Sequence, residues 1–238
     1  SLGREEATGR GVAYCIQFAY EKMNKRLDKS TTVAIHGFGK VGIPAAEDLV
    51  AQGATIVAVS DYSGGLYCEA GLDIKKIATF VRERHLMKDY QQEGVEHISN
   101  EELLELDVDV LVPAAIDSVV TKENCEKVRA KMIAEGANGP LTKEAVAYLT
   151  DKNVFIIPDI LCNAGGVVVS YFEWVQGLAH FFWDHDQINK TLHSILKKSF
   201  DEVVYKADAF KTDMKSAALI AALSKLEAAM KLRGLFPG

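Results

Sequence analysis

The chain has 238 residues, of which 48% are hydrophobic and 25% are charged, and its formal net charge is −6 at pH 7. This length can bury a sizeable core in one large or two small domains, and the composition is that of a soluble globular protein. The negative charge argues against a nucleic-acid-binding surface, and no apolar run approaches the ~18–20 residues of a membrane span.

The first predicted element is a long amphipathic helix that ends near Leu27. Thr8 lies where this helix would begin, a position at which a hydroxyl commonly caps the backbone. The prediction depends on apolar residues that recur at helical spacing. These residues are Val12, Ala13, Ile16, Ala19, Tyr20, Met23 and Leu27.

A glycine-rich turn follows a β-prone run at residues 32–36 and precedes a helical pattern at residues 41–52. Its glycines form the Gly-x-Gly-x-x-Gly pattern that a dinucleotide pyrophosphate requires. Gly37 can adopt the positive φ of a tight turn, and Gly39 lets the backbone approach the phosphates without a Cβ. Gly42 lets the helix pack close to its strand, with its free N–H groups facing the anion.

A second predicted strand at residues 55–60 ends at Asp61, about 20 residues beyond Gly42. An acid at this place can accept both hydroxyls of an adenosine ribose. The glycines alone are a weak signal, since Gly-rich turns are common. Strand, glycines, helix, second strand and acid together predict a dinucleotide site.

The rest of the chain alternates predicted strands and helices up to residue 165, after which the strand signal disappears. A capping box at Ser99 and Glu102 marks the start of a short helix, and Pro113 stops a buried strand. Residues 87–96 are polar and are predicted to form a loop. Strands or extended pieces are predicted at residues 66–68, 108–112, 131–135 and 154–157, and helices at 74–85, 121–128, 142–149, 167–182, 188–209 and 215–231.

This order predicts an α/β fold with a doubly wound, mostly parallel Rossmann-type sheet and a helical C-terminal tail. We expect residues 1–238 to form one dinucleotide-binding domain, with its core at about residues 30–165 and its tail at about 166–238. Ligands bind such sheets outside the carboxyl ends of the strands.

Several of the loops that leave these strand ends carry small or amide residues. Ala114 and Ala115 are small enough for a nucleoside to lie across the backbone. Asn138 and Asn163 offer both a donor and an acceptor, which suits the carboxamide of a nicotinamide. For each asparagine, the alternative is a turn residue that satisfies its own backbone.

No metal site and no nucleophile–His–acid arrangement is predicted. His180 and His185 lie five residues apart on a predicted helix, so they do not share a face, even with Asp184 between them. Four nearby aromatic residues are expected to pack in the core or at a domain interface. They are Trp174, Phe181, Phe182 and Trp183.

Five segments together resemble a known family. They are GREEATGRG at residues 3–11, GFGKVG at 37–42, EGANGP at 135–140, PDILCNAGGV at 158–167 and SYFEW at 170–174. This set resembles the nucleotide-binding half of the glutamate/leucine/phenylalanine/valine dehydrogenase family over essentially the whole chain. The last segment and the Gly-Pro after Asn138 favour its glutamate branch.

The resemblance implies reversible oxidative deamination of L-glutamate to 2-oxoglutarate and ammonia, with NAD as cofactor and NADP possible. It assigns the ribose to Asp61 and the substrate pocket to Val167 and Ser170, the latter facing the glutamate side-chain carboxylate. The remaining implied cofactor contacts are Thr8, Asn138 and Asn163 at the nicotinamide, Gly37, Phe38, Gly39, Lys40, Val41 and Gly42 at the pyrophosphate, and Ala114 and Ala115 beside the adenosine.

The family's catalytic lysine and proton-transferring aspartate belong to an N-terminal domain, and the sequence contains neither segment. We therefore expect an isolated cofactor domain without catalytic residues of its own, inactive alone, whose C-terminus at residues 233–238 is natural. The full-length family forms hexamers largely through the other domain, so this chain is expected to be a monomer or small oligomer.

Two alternatives remain, a stand-alone nucleotide-binding or regulatory module and a leucine, phenylalanine or valine dehydrogenase domain. The hydroxyl of Ser170 argues against the latter, whose substrates have apolar side chains. NAD is expected over NADP because Asp61 would repel a ribose 2′-phosphate and residues 62–65 supply no Arg or Lys. The scattered cysteines predict reduced thiols and a cytoplasmic location, with no nucleic-acid or membrane partner.

Overall fold

A computed structural model describes residues 2–234; Ser1 and residues 235–238 of the predicted natural C-terminus lie outside the described residues. The strands are β1 (Thr32–His36), β2 (Thr55–Asp61), β3 (Gly64–Tyr67), β4 (Glu96–Ile98), β5 (Val110–Pro113), β6 (Met132–Ala134) and β7 (Phe155–Ile157). The helices are α1 (Ala7–Lys22), α2 (Gly42–Ala51), α3 (Ile74–Arg82), α4 (Asn100–Leu104), α5 (Lys143–Asp151), α6 (Asp159–Cys162), α7 (Gly165–Ala179), α8 (His185–Phe210) and α9 (Met214–Arg233).

The seven strands form one sheet in the order β4-β3-β2-β1-β5-β6-β7. The five strands from β2 to β7 in this order are parallel, and β3 and β4 pair antiparallel at one edge. The chain leaves β1 toward β2 on one side and reaches β5 on the other. A crevice therefore opens at the carboxyl end of β1, where the strand order reverses. The predicted mostly parallel Rossmann-type fold is confirmed.

Both faces of the sheet are buried, as expected of parallel strands covered by helices. Val33 and Ile35 of β1 face a core formed with α1, α2, α3 and the C-terminal helices. Ala34, between them, faces a second core formed with α4 and α5. The alternation within one short strand explains why its three central residues are all apolar.

The C-terminal helices pack across the first face of the sheet. Buried residues of α8 recur every three or four positions, from Ile188 to Val203, so one stripe faces the core. In α9 only the N-terminal part is buried, while Leu223 and Met230 farther along are exposed. None of the helices between residues 2 and 234 combines the length and apolar character that a membrane crossing requires.

Three predicted elements were wrong. The helix predicted at residues 121–128 is only a 3₁₀ turn at Cys125–Lys127, because the side chain of Asn124 bonds the backbone of Thr121 and Val119. The predicted loop at residues 87–96 contains a 3₁₀ turn and the start of β4, which becomes a strand by pairing with β3.

The first helix ends at Lys22 and not near Leu27. Asn24 takes a left-handed conformation with φ of 55°. The next backbone N–H, that of Lys25, then donates back to the carbonyl of Tyr20 at 2.8 Å. This closing pattern ends a helix whatever apolar residues follow.

Candidate functional site

A cavity of about 870 Å³ lies at the carboxyl edge of the sheet, where β1, β2 and β5 end. It is walled by loops that leave these three strands and by the ends of α3 and α4. Eight residues predicted from the sequence to contact a cofactor line it. They are Gly37, Phe38, Gly39, Lys40, Val41, Asp61, Ala114 and Ala115.

The glycine loop has a shape that side chains would disrupt. Gly37 has φ of +98°, and a Cβ on it would lie 2.6 Å from the Cα of Ala115. A Cβ on Gly42 would overlap the carbonyl oxygen of Gly37, so α2 starts directly against the turn. At Gly39 a Cβ would meet no atom within 4 Å and would project into open space. Gly37 and Gly42 therefore shape the loop, while Gly39 leaves room for a ligand.

The carboxylate of Asp61 is oriented by its own turn. One oxygen accepts from the backbone N–H of Ser63 at 2.6 Å and from its hydroxyl at 2.5 Å. The other accepts from the backbone N–H of Met87 at 3.1 Å. A carboxylate offers about four acceptor positions. Three are thus taken by the protein, which leaves one for a ligand.

Arg84 and His85 line the same cavity as Asp61, a feature that the sequence analysis missed. The antiparallel strand β3 returns the chain to the opposite edge, and α3 then carries it back to the carboxyl edge. Arg84 follows the end of α3, where it has φ of 67° and an exposed side chain. The cavity beside Asp61 therefore contains a cation that residues 62–65 do not supply, because α3 brings it from farther along the chain.

His36, at the end of β1, also lines the cavity although only 7% of its surface is exposed. Burial lowers the pKa of its imidazole, so the ring is neutral at pH 7. Its Nδ1 atom is buried without a hydrogen-bond partner among the described residues.

The structure brings Asn138 and Asn163 together across the loops that follow β6 and β7. The Asn163 side-chain amide donates to the side-chain oxygen of Asn138 at 2.7 Å. It also lies 3.4 Å from the carbonyl of Ala137. Asn163 is thus bonded to a neighbouring loop, which disfavours its interpretation as a residue serving only its own turn.

Thr8 lies within the first turn of α1, since Glu6 occupies the cap position without a side-chain cap bond. The N-cap interpretation of Thr8 was therefore wrong. A Cβ on Gly166 would overlap the Thr8 hydroxyl oxygen, so the starts of α1 and α7 are in close contact there.

Val167 and Ser170 lie one turn apart on α7 and share a face. The Val167 side chain is 70% exposed. The Ser170 hydroxyl donates to the carbonyl of Gly166 at 2.9 Å, which leaves its oxygen lone pairs for other partners. Gly166, which precedes Val167 on α7, lies against Thr8.

The two histidines weighed as metal ligands are separated by structure. His180 ends α7 in a left-handed conformation, while His185 begins α8. The His185 ring contacts Glu6 at 2.8 Å and Asn189 at 3.0 Å. Across residues 2–234 there is no group of three or more His, Cys, Asp or Glu side chains that could hold a metal ion.

Core packing is the wrong interpretation for three of the four late aromatic residues. Trp174 is 61% exposed, and Phe181 and Phe182 are more exposed still. Only Trp183 packs against the core, with its ring 5.2 Å from that of Phe172. The domain-interface alternative for the exposed three stays a prediction.

The chain is similar to proteins of one family. The sequence profile of the Glutamate/Leucine/Phenylalanine/Valine dehydrogenase family matches residues 1–234. The chain is 46% identical over 240 residues to a glutamate dehydrogenase of Thermotoga maritima, covering 100% of this chain and 56% of that protein. It is 44% identical to the NAD-specific glutamate dehydrogenase A of Halobacterium salinarum, with 100% and 54% covered. It is 40% identical to an NADP-specific glutamate dehydrogenase of Synechocystis, with 98% and 56% covered.

A solved structure shows the same fold. The hetero-hexameric glutamate dehydrogenase from Thermus thermophilus, in a Leu-bound form, superposes with a TM-score of 0.90 at 31% identity. The match covers 100% of this chain and 55% of that one. The chain thus spans slightly more than half of the length of the proteins that it matches.

Proposed function

Because the chain belongs to the glutamate/leucine/phenylalanine/valine dehydrogenase family, we propose that it is the dinucleotide-binding domain of a glutamate dehydrogenase. Such an enzyme interconverts L-glutamate with 2-oxoglutarate and ammonia. The observation that carries the proposal is the cavity over the glycine loop, which joins the strand reversal at β1 to the acid at the end of β2. The open space at Gly39 fits a pyrophosphate.

Different residues are proposed to contact different parts of the cofactor. The first-turn N–H groups of α2 and the glycine loop hold the pyrophosphate, Asp61 holds the adenosine ribose, and Ala114 and Ala115 flank the adenosine. Asn138 and Asn163 orient the carboxamide, next to Thr8 at the start of α1. The cofactor, when bound, supplies the hydride chemistry.

The substrate is proposed to lie against the shared face of Val167 and Ser170. The Ser170 hydroxyl donates its hydrogen bond to the carbonyl of Gly166, so its oxygen can only accept a further bond. It orients the side-chain carboxylate of a glutamate through a bridging donor. Val167 supplies an exposed apolar surface beside it. The four cysteines carry free thiols, which suits the reducing cytoplasm that we propose as its location.

Titration of the chain with NADH, followed by fluorescence, tests the proposal. We expect saturable binding that competes with ADP-ribose, since both ligands share the pyrophosphate and the adenosine. Absence of saturable binding by the folded chain would contradict the proposed function.

NADH is expected to bind more tightly than NADPH, because the Asp61 carboxylate faces the same cavity that would receive a 2′-phosphate. Arg84 supplies the opposing attraction. Arg84→Ala should therefore weaken NADPH binding about threefold to tenfold while leaving NADH binding nearly unchanged, as an exposed charged contact permits. Relatives of both cofactor specificities are consistent with such a balance.

Arg82→Ala is the matched control for this titration. Arg82 is also at the end of α3, but its guanidinium bonds the carboxylate of Glu47 at 2.9 Å, and it does not line the cavity. The control should leave both affinities unchanged. Equal or tighter binding of NADPH by the unmodified chain would contradict the NAD preference.

The isolated chain is expected to be a monomer at low concentration and to associate as concentration rises. Exposed apolar residues on α9 recur at spacings of three and four, which forms a stripe. They are Leu219, Leu223, Leu226 and Met230. Leu223→Glu with Met230→Glu should suppress association in sedimentation experiments. Leu232→Glu, off this stripe on the same helix, should not, and a stable hexamer would contradict the expectation.

A further inference from the structure

Three charged residues meet beneath the loops that carry Asn138 and Asn163. Glu135 follows β6 and has no exposed surface. One of its carboxylate oxygens accepts from the backbone N–H of Asp159 at 2.8 Å. Lys215, near the start of α9, places its ammonium 3.4 Å from the same oxygen and 3.8 Å from the carboxylate of Asp159.

The Glu135 carboxylate is in an unfavourable environment without its cation. Burial raises the pKa of this carboxyl above its ordinary value of 4.5, opposed by the Asp159 N–H and the charge of Lys215. The second carboxylate oxygen, Oε1, is buried without a hydrogen-bond partner among residues 2–234. A buried charge left without its partner is strongly destabilising. Together with the Asp159 N–H, Lys215 therefore stabilises the ionised form of Glu135 in this buried position.

Asp159 transmits this arrangement to both loops. Its carboxylate oxygen Oδ2 accepts from the backbone N–H of Gly139 at 2.8 Å, directly after Asn138. Its carbonyl accepts from the backbone N–H of Asn163 at 3.0 Å. The two asparagines are bonded to each other at 2.7 Å. One aspartate thus fixes the backbone beside both amides.

The start of α9 also has contacts that do not involve this cation. Met214 and Ala217 are buried against the core, and Asp213 caps the helix by accepting from the backbone N–H of Ser216 at 2.9 Å. The two buried residues dock the start of α9 and the cap bond closes its first turn, and neither contact involves the Lys215 ammonium. The bonds between the buried ion group and the loops above it are therefore separate from the packing of α9 on the core.

We propose that Lys215 is a positioning residue that acts through Glu135 and Asp159 to hold the Asn138–Asn163 pair in place for the carboxamide end of the dinucleotide. This inference rests on the proposed function. It assigns to α9, a helix outside the cavity, an influence on one end of the ligand only. At the adenosine end, the Asp61 carboxylate is bonded instead to Ser63 and Met87.

Comparison of two ligands tests this assignment. ADP-ribose has the adenosine and pyrophosphate but lacks the nicotinamide, so it does not reach the asparagines. Lys215→Met should weaken NADH binding about tenfold, as expected when hydrogen bonds to one carboxamide are misplaced. The affinity of the Lys215→Met variant for ADP-ribose should stay within about twofold of that of the unmodified chain.

Lys225→Met is the matched control, since Lys225 lies on the same helix in an exposed ion pair with Glu202 at 2.7 Å. It should change neither affinity. An equal loss of affinity for NADH and for ADP-ribose in Lys215→Met, or no loss of affinity for NADH, would overturn the assignment. If Lys215→Met does not fold, Lys215→Met with Glu135→Gln, which leaves no unpaired buried charge, should show the same selective loss.

Unfolding of both variants would show that the ion group is only structural and would also overturn the proposal. Failure of the unmodified chain to bind either ligand would instead contradict the proposed function, and this assignment with it. The two failures are distinguished by ADP-ribose binding to the unmodified chain.

Discussion

The 238-residue chain by itself is expected to bind NADH and yet to form no detectable NADH from NAD⁺ and millimolar glutamate. An amino acid dehydrogenase needs an ammonium to polarise its substrate and a carboxylate to move protons, both within hydrogen-bond reach of the reacting centre. It also needs a closed cleft that holds the amino acid against the nicotinamide.

Neither Lys40 nor Lys215 is expected to supply the ammonium that polarises the substrate. Lys40 is the one lysine among the residues that line the described cavity, and it belongs to the glycine loop. Lys215 is engaged by Glu135 and Asp159. Loss of substrate orientation alone corresponds to about 7–11 kcal/mol of the barrier. A rate lower by about 10⁵-fold or more would escape detection.

The assay follows NADH absorbance with the chain alone and then with the separately expressed part of the Thermotoga maritima relative that this chain does not cover. Binding of NADH, measured in parallel, establishes that the chain used is folded and loaded. Robust turnover by the chain alone would refute the assignment of catalytic residues to another part of the enzyme.

Gly42→Ala is expected to damage both stability and binding. The new Cβ would overlap the carbonyl oxygen of Gly37, and a backbone atom in a tight turn cannot swing aside. Overpacking of this kind costs about 1–3 kcal/mol. The displaced turn also loses its approach to the pyrophosphate, so NADH binding should fall below detection. Thermal unfolding and NADH titration measure the two effects.

Gly39→Ala should separate these effects. Its Cβ meets no atom within 4 Å, so the free protein should unfold at an unchanged temperature. The same Cβ would point into the space proposed for the phosphates, and NADH affinity should fall about tenfold or more. Gly177→Ala, whose Cβ also meets nothing within 4 Å, changes an exposed helical position in α7. It should stabilise the protein slightly and leave binding unchanged, whereas unchanged binding in Gly39→Ala would argue against the pyrophosphate assignment.

Sequence by itself determined the elements whose signals are local. The β1 strand, the glycine loop and the start of α2 are adjacent in the chain, so their order and residue types are sufficient to predict them. The capping box at Ser99 and Glu102 is present as predicted, because both partners lie within one turn. A cavity lies over the glycine loop, where this short-range pattern predicts a ligand site.

Tertiary structure decided what depends on residues far apart in the chain. The strand β4 exists through its pairing with β3, and Arg84 reaches the cavity of Asp61 because α3 returns the chain to the carboxyl edge. Lys215 and Glu135 are separated by 80 positions in the chain, and no local pattern marks them as partners. Periodicity records which face of an element is buried, but it does not record which distant element covers that face. Only the packing of α9 under the β6 and β7 loops joins this cation to its buried carboxylate.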